Sequence, residues 1–281
     1  MSIARLMQMA RAGVPAGGGD VWTDPDLANA SYDSVSFSVA GQESIPIGLF
    51  FKPDGTKMYV SGPISDAIYQ YSLSTAFDLS TASYDSVSFS VSSQDLSAAG
   101  IYFKSDGTKM YLVGYTGDSV YQYTLSTAWD LSTSSYDSVS FSVASQAATP
   151  FALVFKPDGT KMFVTDGTSD AVKEYSLGTA WDISTSSYQA SSSVASQDTN
   201  PYGLEFNPDG TKMYIVGITS DTVYEYDLST SWDITATSYN SVSFSVASQS
   251  SLPVSMRFRN DGQKLYVSDV GTDTIYQYST A

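Results

Sequence analysis

The sequence predicts an all-β protein: a five-bladed β-propeller of four-stranded antiparallel blades. Three observations carry that expectation. An Asp-Gly pair recurs at Asp54-Gly55, Asp106-Gly107, Asp158-Gly159, Asp209-Gly210 and Asp261-Gly262, at spacings of 52, 52, 51 and 52 residues. Each unit holds four short strand-like runs and no helical periodicity, the pattern of a propeller blade. The units are also out of frame with the chain. "SYDSVSFSV" from Ser31 has no "FKPDGTKMY" before it, and the last unit stops at "DTIYQYSTA" with no such segment after it.

In chain order, residues 1–20 ("MSIARLMQMARAGVPAGGGD") stand outside the repeat. Ile3, Leu6, Met7 and Ala10 lie at helical spacing, with Arg5, Gln8 and Arg11 opposite. Pro15 and the Gly run then break any helix and form a tether. Two parts are therefore expected, an N-terminal anchor peptide with its tether over 1–20 and the propeller over 21–281.

Within a unit, strand a is "IGLFF" (Ile47 to Phe51), closed by a Pro-Asp-Gly turn in which Gly55 can take the positive φ. Strand b is "KMYVS" from Lys57, and strand c is "AIYQYSL" from Ala67. A longer connection, "STAFDLSTA", leads to strand d, "YDSVSFSV" from Tyr84. There Val87, Phe89 and Val91 alternate with serines, a half-buried period of two. A β-solenoid would need shorter coils and caps at both ends. A ring explains the frame shift instead: strand d at Tyr32 to Val39 completes the last blade beside Asp273 to Tyr278, and no free edge remains.

Composition narrows the chemistry. Cys and His are both absent, which excludes disulfides, thiolate or imidazole metal ligands, and any catalysis that uses Cys or His. A net charge of -16 disfavours nucleic acid and anionic membranes as partners. No run is long and apolar enough to span a bilayer, and residues 1–20 make a poor signal peptide because Arg5, Gln8 and Arg11 interrupt them.

"FKPDGTKMYV", "FNPDGTKMYI" and "FRNDGQKLYV" resemble the hairpin of YVTN-type bacterial propeller repeats, over residues 25–281. That resemblance implies the fold and leaves the function open. The "MSIARLM" start with its Gly-rich tether, and the "STAWDLSTSSYDS" text, resemble structural proteins of tailed marine phages. This second resemblance implies a virion protein, assembled in the host cytoplasm and later extracellular. It would dock to other virion proteins through Ile3, Arg5, Leu6, Met7, Ala10 and Arg11.

Several positions are candidates for a site. Phe77, Trp129, Trp181 and Trp232 recur in the c–d loops and could stack on sugars, or they could plug the blade edges. The inner strands differ at Phe50, Tyr102, Val154, Glu205 and Arg257, and Glu205 and Arg257 are expected to pair across neighbouring blades near the axis. The repeated Asp66, Asp118, Asp170, Asp221 and Asp273 are turn residues rather than a calcium ring, since the loops lack a complete cation-loop motif. The b–c and d–a loops vary between units, which fits either a ligand face or drift.

No nucleophile–base pair, phosphate loop or cofactor fingerprint is visible. With the phage resemblance, the expected function is a non-enzymatic virion structural protein without cofactor or metal. It would decorate a head or serve as a tail adhesion module for host-surface glycans. A free bacterial lectin or adhesin is the alternative, and a glycoside hydrolase a weaker one because only Glu205 stands out near the axis.

Overall fold

A computed structural model describes residues 21–281; the anchor peptide predicted over 1–20 lies outside the described residues. Twenty strands form five four-stranded antiparallel sheets arranged as a propeller. Blade 1 comprises Gly48–Phe51, Lys57–Gly62, Ala67–Leu73 and Ala82–Ser90, as strands a to d. Blade 2 comprises Ala98–Phe103, Lys109–Gly114, Ser119–Leu125 and Ser134–Ser142. Blade 3 comprises Pro150–Phe155, Lys161–Asp166, Ala171–Leu177 and Ser186–Ser193. Blade 4 comprises Pro201–Phe206, Lys212–Gly217, Thr222–Leu228 and Thr237–Ser245. Blade 5 takes Pro253–Phe258, Lys264–Asp269 and Thr274–Ser279, and its outer strand is Ser31–Ser38.

The predicted exchange thus closes the ring: Tyr32 faces Tyr278, Phe37 faces Ile275 and Ser38 faces Thr274. The closure begins already at Trp22. Thr23 N donates to Asp261 O at 2.9 Å and Asp26 N donates to Thr280 O at 2.8 Å. Trp22 meets Phe258 edge-on, with centroids 6.0 Å apart. Leu27 is buried in a short 3-10 turn, Leu27–Asn29, as Leu79, Leu131, Ile183 and Ile234 are in the c–d loops of the other blades. In those four loops an Asp caps the turn; Asp130, for example, accepts from Ser132 N at 3.0 Å. A three-residue turn shows no hydrophobic period, so pattern reading missed it.

The one-residue shortfall in the repeat has a location. In four outer strands a bulge holds a serine at positive φ: Ser34, Ser86, Ser138 and Ser241 at 59, 57, 59 and 69°. In blade 3, Tyr188 and Ala190 oppose consecutive residues of strand c, with only Gln189 between them. The deletion removed one bulge residue and left the strand's inward alternation in register.

The core lies between blades. Tyr59 and Ile68 of blade 1 pack with Phe103, Trp129 and Leu131 of blade 2, and similar clusters follow around the ring. Polar ties reinforce these seams. Gln70 Nε2 donates to Asp85 at 2.8 Å, while its Oε1 accepts from Leu131 N of the next blade at 3.0 Å. Blades 2 and 5 repeat the Gln–Asp pair as Gln122–Asp137 and Gln277–Asp33. Where the outer strand has Gln189 or Asn240 in place of that Asp, strand c carries Glu174 or Glu225 in place of the Gln. Lys161 and Lys212 then pair with those glutamates at 2.6 and 2.5 Å. The Lys that opens each strand b thus keeps a carboxylate partner, supplied from strand c or strand d, and Lys212 has a second in Asp227 at 3.0 Å.

Candidate functional site

The inner strands build the axis in layers. Gly48, Gly100, Ala152, Gly203 and Ser255 line its upper part, on the side of the d–a and b–c loops. Neighbouring strands approach closely at the glycines: a Cβ on Gly100 would stand 2.5 Å from Phe151 O. The space between them is a cavity of about 10 Å³, bounded at its lower end by Arg257. That is room for a single water molecule.

Two residues further along each strand, on the same side of the pleat, come Phe50, Tyr102, Val154, Glu205 and Arg257. Arg257 crosses the axis. Its Nε donates to Leu49 O of blade 1 at 2.9 Å, and Nη2 donates to Ile101 O of blade 2 at 3.3 Å. Nη1 donates to Glu205 Oε2 of blade 4 at 2.9 Å, so the expected pair forms. The guanidinium carbon lies 4.8 Å from the Phe50 ring centroid and 5.6 Å from that of Tyr102. The side chains of Arg257 and Glu205 retain 11% and 17% of their exposure. Burial raises the Glu205 pKa, and the charge and hydrogen bond of Arg257 only partly offset this. Three of the five guanidinium N–H donors are used, which leaves two for a ligand.

The next layer, where the inner strands enter the a–b turns, holds Lys52, Lys104, Lys156, Asn207 and Arg259. Each lysine pairs with the Asp of its own turn, Lys52–Asp54, Lys104–Asp106 and Lys156–Asp158, all at 2.7 Å, and Arg259 pairs with Asp261. Hydrogen bonds from Lys and Thr outweigh the upward effect of burial and lower the pKa of Asp54, Asp106 and Asp158. Among the described residues every Lys and Arg except Lys173 belongs to the a–b end of its blade.

The four aromatics of the c–d loops sit in the seams. Trp129 and Trp232 are 9% and 8% exposed, and Phe77 and Trp181 are half-buried. Each covers the positive-φ glycine of its own a–b turn; a Cβ on Gly107 would lie 2.4 Å from the Trp129 indole. Their rings pack on inner-strand phenylalanines, as in Phe103–Trp129 at 5.6 Å. The carbonyls of Phe77, Trp129 and Trp181 accept from Tyr266, Tyr59 and Tyr111 of the preceding blade. This packing supports the edge-plug reading and gives no support to a sugar platform. Ile3, Arg5, Leu6, Met7, Ala10 and Arg11 lie outside the described residues.

On the opposite face the loop variation follows a rule. In blades 1, 2 and 4 a carboxylate from the d–a loop, Glu43, Asp95 or Asp198, caps the b–c loop. Asp95, for example, accepts from Ser97 N at 2.9 Å and from Gly117 N at 2.8 Å. Strand b ends there in Gly62, Gly114 or Gly217, where a Cβ would strike the carboxylate; on Gly114 it would stand 2.1 Å from Asp95 Oδ2. In blades 3 and 5 strand b ends in Asp166 or Asp269, and the d–a loop has Ala147 or Ser250. Asp166 accepts from Thr149 N at 3.0 Å and from Ser169 N at 3.1 Å. The variation is a compensated exchange of one buried carboxylate between two strands.

Asp66, Asp118, Asp170, Asp221 and Asp273 occupy positive φ of 44 to 53° at the ends of the b–c loops, as turn residues. Among the described residues no group of three or more Asp or Glu has metal-holding geometry. Sequence reasoning missed an aromatic stack on this face. Phe151 lies between Tyr115 (5.6 Å, 14°) and Tyr202 (3.7 Å, 17°). The signal was an aromatic after Pro in "TPF" and "NPY", and "GYTG" among otherwise small b–c loops.

Residues 142–281 match the family model described as "Lactonase, 7-bladed beta-propeller". The second half of this chain resembles a lactonase propeller. The match covers just under half of the chain, and the ring here has five blades. Among solved structures, a candidate 6-phosphogluconolactonase from Bacteroides uniformis aligns at 12% identity and a TM-score of 0.53. It covers 83% of this chain and 66% of its own. A second such protein, from Bacteroides fragilis, aligns at 14% identity, TM-score 0.52, with 83% and 65% coverage. A functionally unknown protein from Desulfotomaculum acetoxidans aligns at 15% identity, TM-score 0.52, with 80% and 65% coverage. This chain thus spans just under two thirds of the length of these structures, and at such identities the likeness is one of fold. No curated protein matches it.

These findings overturn the expectation of a non-enzymatic virion structural protein. The family model that matches is that of a lactonase, and two of these fold neighbours carry a lactonase description. In the structure Arg257 pairs with Glu205 at 2.9 Å, while burial raises the Glu205 pKa.

Proposed function

We propose that this propeller is a hydrolase of the lactone-opening class, acting at the a–b mouth of its axis on a small anionic lactone or ester. The observation that carries the reading is the Glu205–Arg257 pair, the one ionisable pair on the inner face of the inner strands. The lactonase family match and the descriptions of the two Bacteroides structures support the reaction class. Glu205, with its raised pKa, takes a proton from water as the water oxygen attacks the ring carbonyl. The two unused N–H donors of Arg257 face the charge that develops on the carbonyl oxygen. The ring C–O bond then breaks, the leaving oxygen recovers the proton from Glu205, and a hydroxy acid departs. Lys52, Lys104 and Lys156 have donors beyond those given to their aspartates, and these meet the substrate's anionic group.

The test is hydrolysis of gluconolactone and its 6-phosphate by the full chain, followed by proton release at constant pH and corrected for spontaneous opening. The wild type should favour the phosphorylated lactone. Glu205→Gln should lower kcat at least a hundred-fold with the fold intact, and Lys104→Gln should mainly raise KM. Wild-type rates no higher than the spontaneous ones, on these and on simple esters, reject the proposal.

A further inference from the structure

The two faces of the disc differ in charge and in apolar exposure. The a–b face carries almost all cations of the described residues. The d–a and b–c loops of the other face contain no Lys or Arg, and both carboxylate rings, the five turn aspartates and the five capping carboxylates, lie there. The large hydrophobics that remain exposed concentrate on this face too: Ile64 at 62%, Leu96 at 66%, Tyr115 at 41% and Leu252 at 38%.

Leu96 and Tyr115 belong to a rigid part of this face. Tyr115 follows strand b of blade 2, and Phe151 and Tyr202 are the second residues of strand a in blades 3 and 4, so the stack bridges three blades. Tyr115 ends the stack, backed by Phe151, and its backbone N donates to Ser97 O at 3.0 Å, beside Leu96. Asp118 closes the same b–c loop. One carboxylate oxygen of Asp118 is buried without a hydrogen-bond partner, as at Asp66 and Asp221. Burial and the neighbouring carboxylates raise the pKa of these three groups, so a nearby cation would relieve them. Leu96 and Tyr115, exposed side by side, mark an interaction surface. Its charge selects the occupant, because an acidic or neutral partner would leave these carboxylates without a counter-charge.

We propose that this face docks a basic peptide segment of a partner protein, with a Lys or Arg side chain over the outer face of Tyr115 beside Leu96 and further cations on the turn aspartates. The stacked ring is held flat by Phe151, so it loses little freedom on binding. The surface is distinct from the proposed hydrolytic centre and stands or falls without it.

The test uses the full chain and a fluorescein-labelled decapeptide of Lys, Arg and Gly, with a matched peptide carrying Glu in place of each cation. Anisotropy should show saturable binding of the basic peptide, weakened between 50 and 300 mM NaCl, and none of the acidic one. Tyr115→Ser and Asp118→Asn should each weaken binding about three-fold or more, with unchanged thermal melting. Tyr188→Ser, which removes an exposed tyrosine on the outer strand of blade 3, should leave binding as in the wild type. Equal affinity of Tyr115→Ser and wild type would overturn the proposal, as purely non-specific attraction. So would equal binding of the acidic peptide. A monomer–dimer equilibrium that Tyr115→Ser abolishes would identify a second copy as the occupant and overturn it as well.

Discussion

Arg257 donates to Glu205 at 2.9 Å from the equivalent position one blade away, and the same guanidinium holds backbone carbonyls of blades 1 and 2. One side chain therefore joins four of the five blades across the axis.

That geometry predicts coupled energetics. Arg257→Gln and Glu205→Gln should each cost about 2–3 kcal/mol, because each leaves a largely buried charge or carbonyl without its partner. The double variant should fall short of the summed losses by about 1 kcal/mol or more. Urea unfolding of the four proteins measures this, and strict additivity would show that the pair carries no interaction of its own.

The carboxylate exchange predicts a rescue. Asp166→Gly removes the acceptor for Thr149 N and Ser169 N and should cost about 2 kcal/mol. Adding Ala147→Asp rebuilds the arrangement of blade 2 and should recover most of that loss. If the double variant melts no higher than Asp166→Gly alone, the two positions are not interchangeable.

Closure predicts dependence on the early strand. Leu27→Ala should cost about 2–4 kcal/mol, as an ordinary buried leucine does. Deleting residues 1–40 exposes the edge of Thr274–Ser279 and should yield an aggregating chain. A synthetic peptide of residues 21–40 added during refolding should restore a monomer on gel filtration. Full solubility of the deletion without peptide would contradict this.

Acid stability follows from Asp33, Asp85 and Asp137. Burial alone would raise their pKa values, but hydrogen bonds from Lys, Gln, Ser and Thr outweigh it and hold them below the ordinary 3.8. A depressed folded pKa contributes stability above the unfolded value and loses it as pH falls through the folded one. The stability gap between wild type and Asp137→Asn should thus be flat from pH 7 to about 5. It should shrink below pH 4, as read from urea midpoints.

Much of the fold was legible because it rests on local patterns. Alternation along "SVSFSV", the Asp-Gly turns and the regular spacing are properties of short segments. Copying them five times made the blade count and the closing partner of Ser31–Ser38 readable. The 3-10 turns at Leu79 and its counterparts were not legible, since three residues carry no period. The paired substitutions were visible as text, Gly114 with Asp95 and Asp166 with Ala147. Their meaning was not, because nothing local says that a d–a loop and the end of strand b share one buried space.

The sequence by itself determined the architecture: five blades, four strands each, and a ring closed by its own first strand. Tertiary structure decided what the variable positions do. Arg257 reaches Leu49 O across 208 residues and Ile101 O across 156, and Tyr115, Phe151 and Tyr202 stack across three blades. The physical reason is closure. A ring brings one position of every blade to the axis or to one face, where charge, burial and ring stacking act between residues that no local pattern relates.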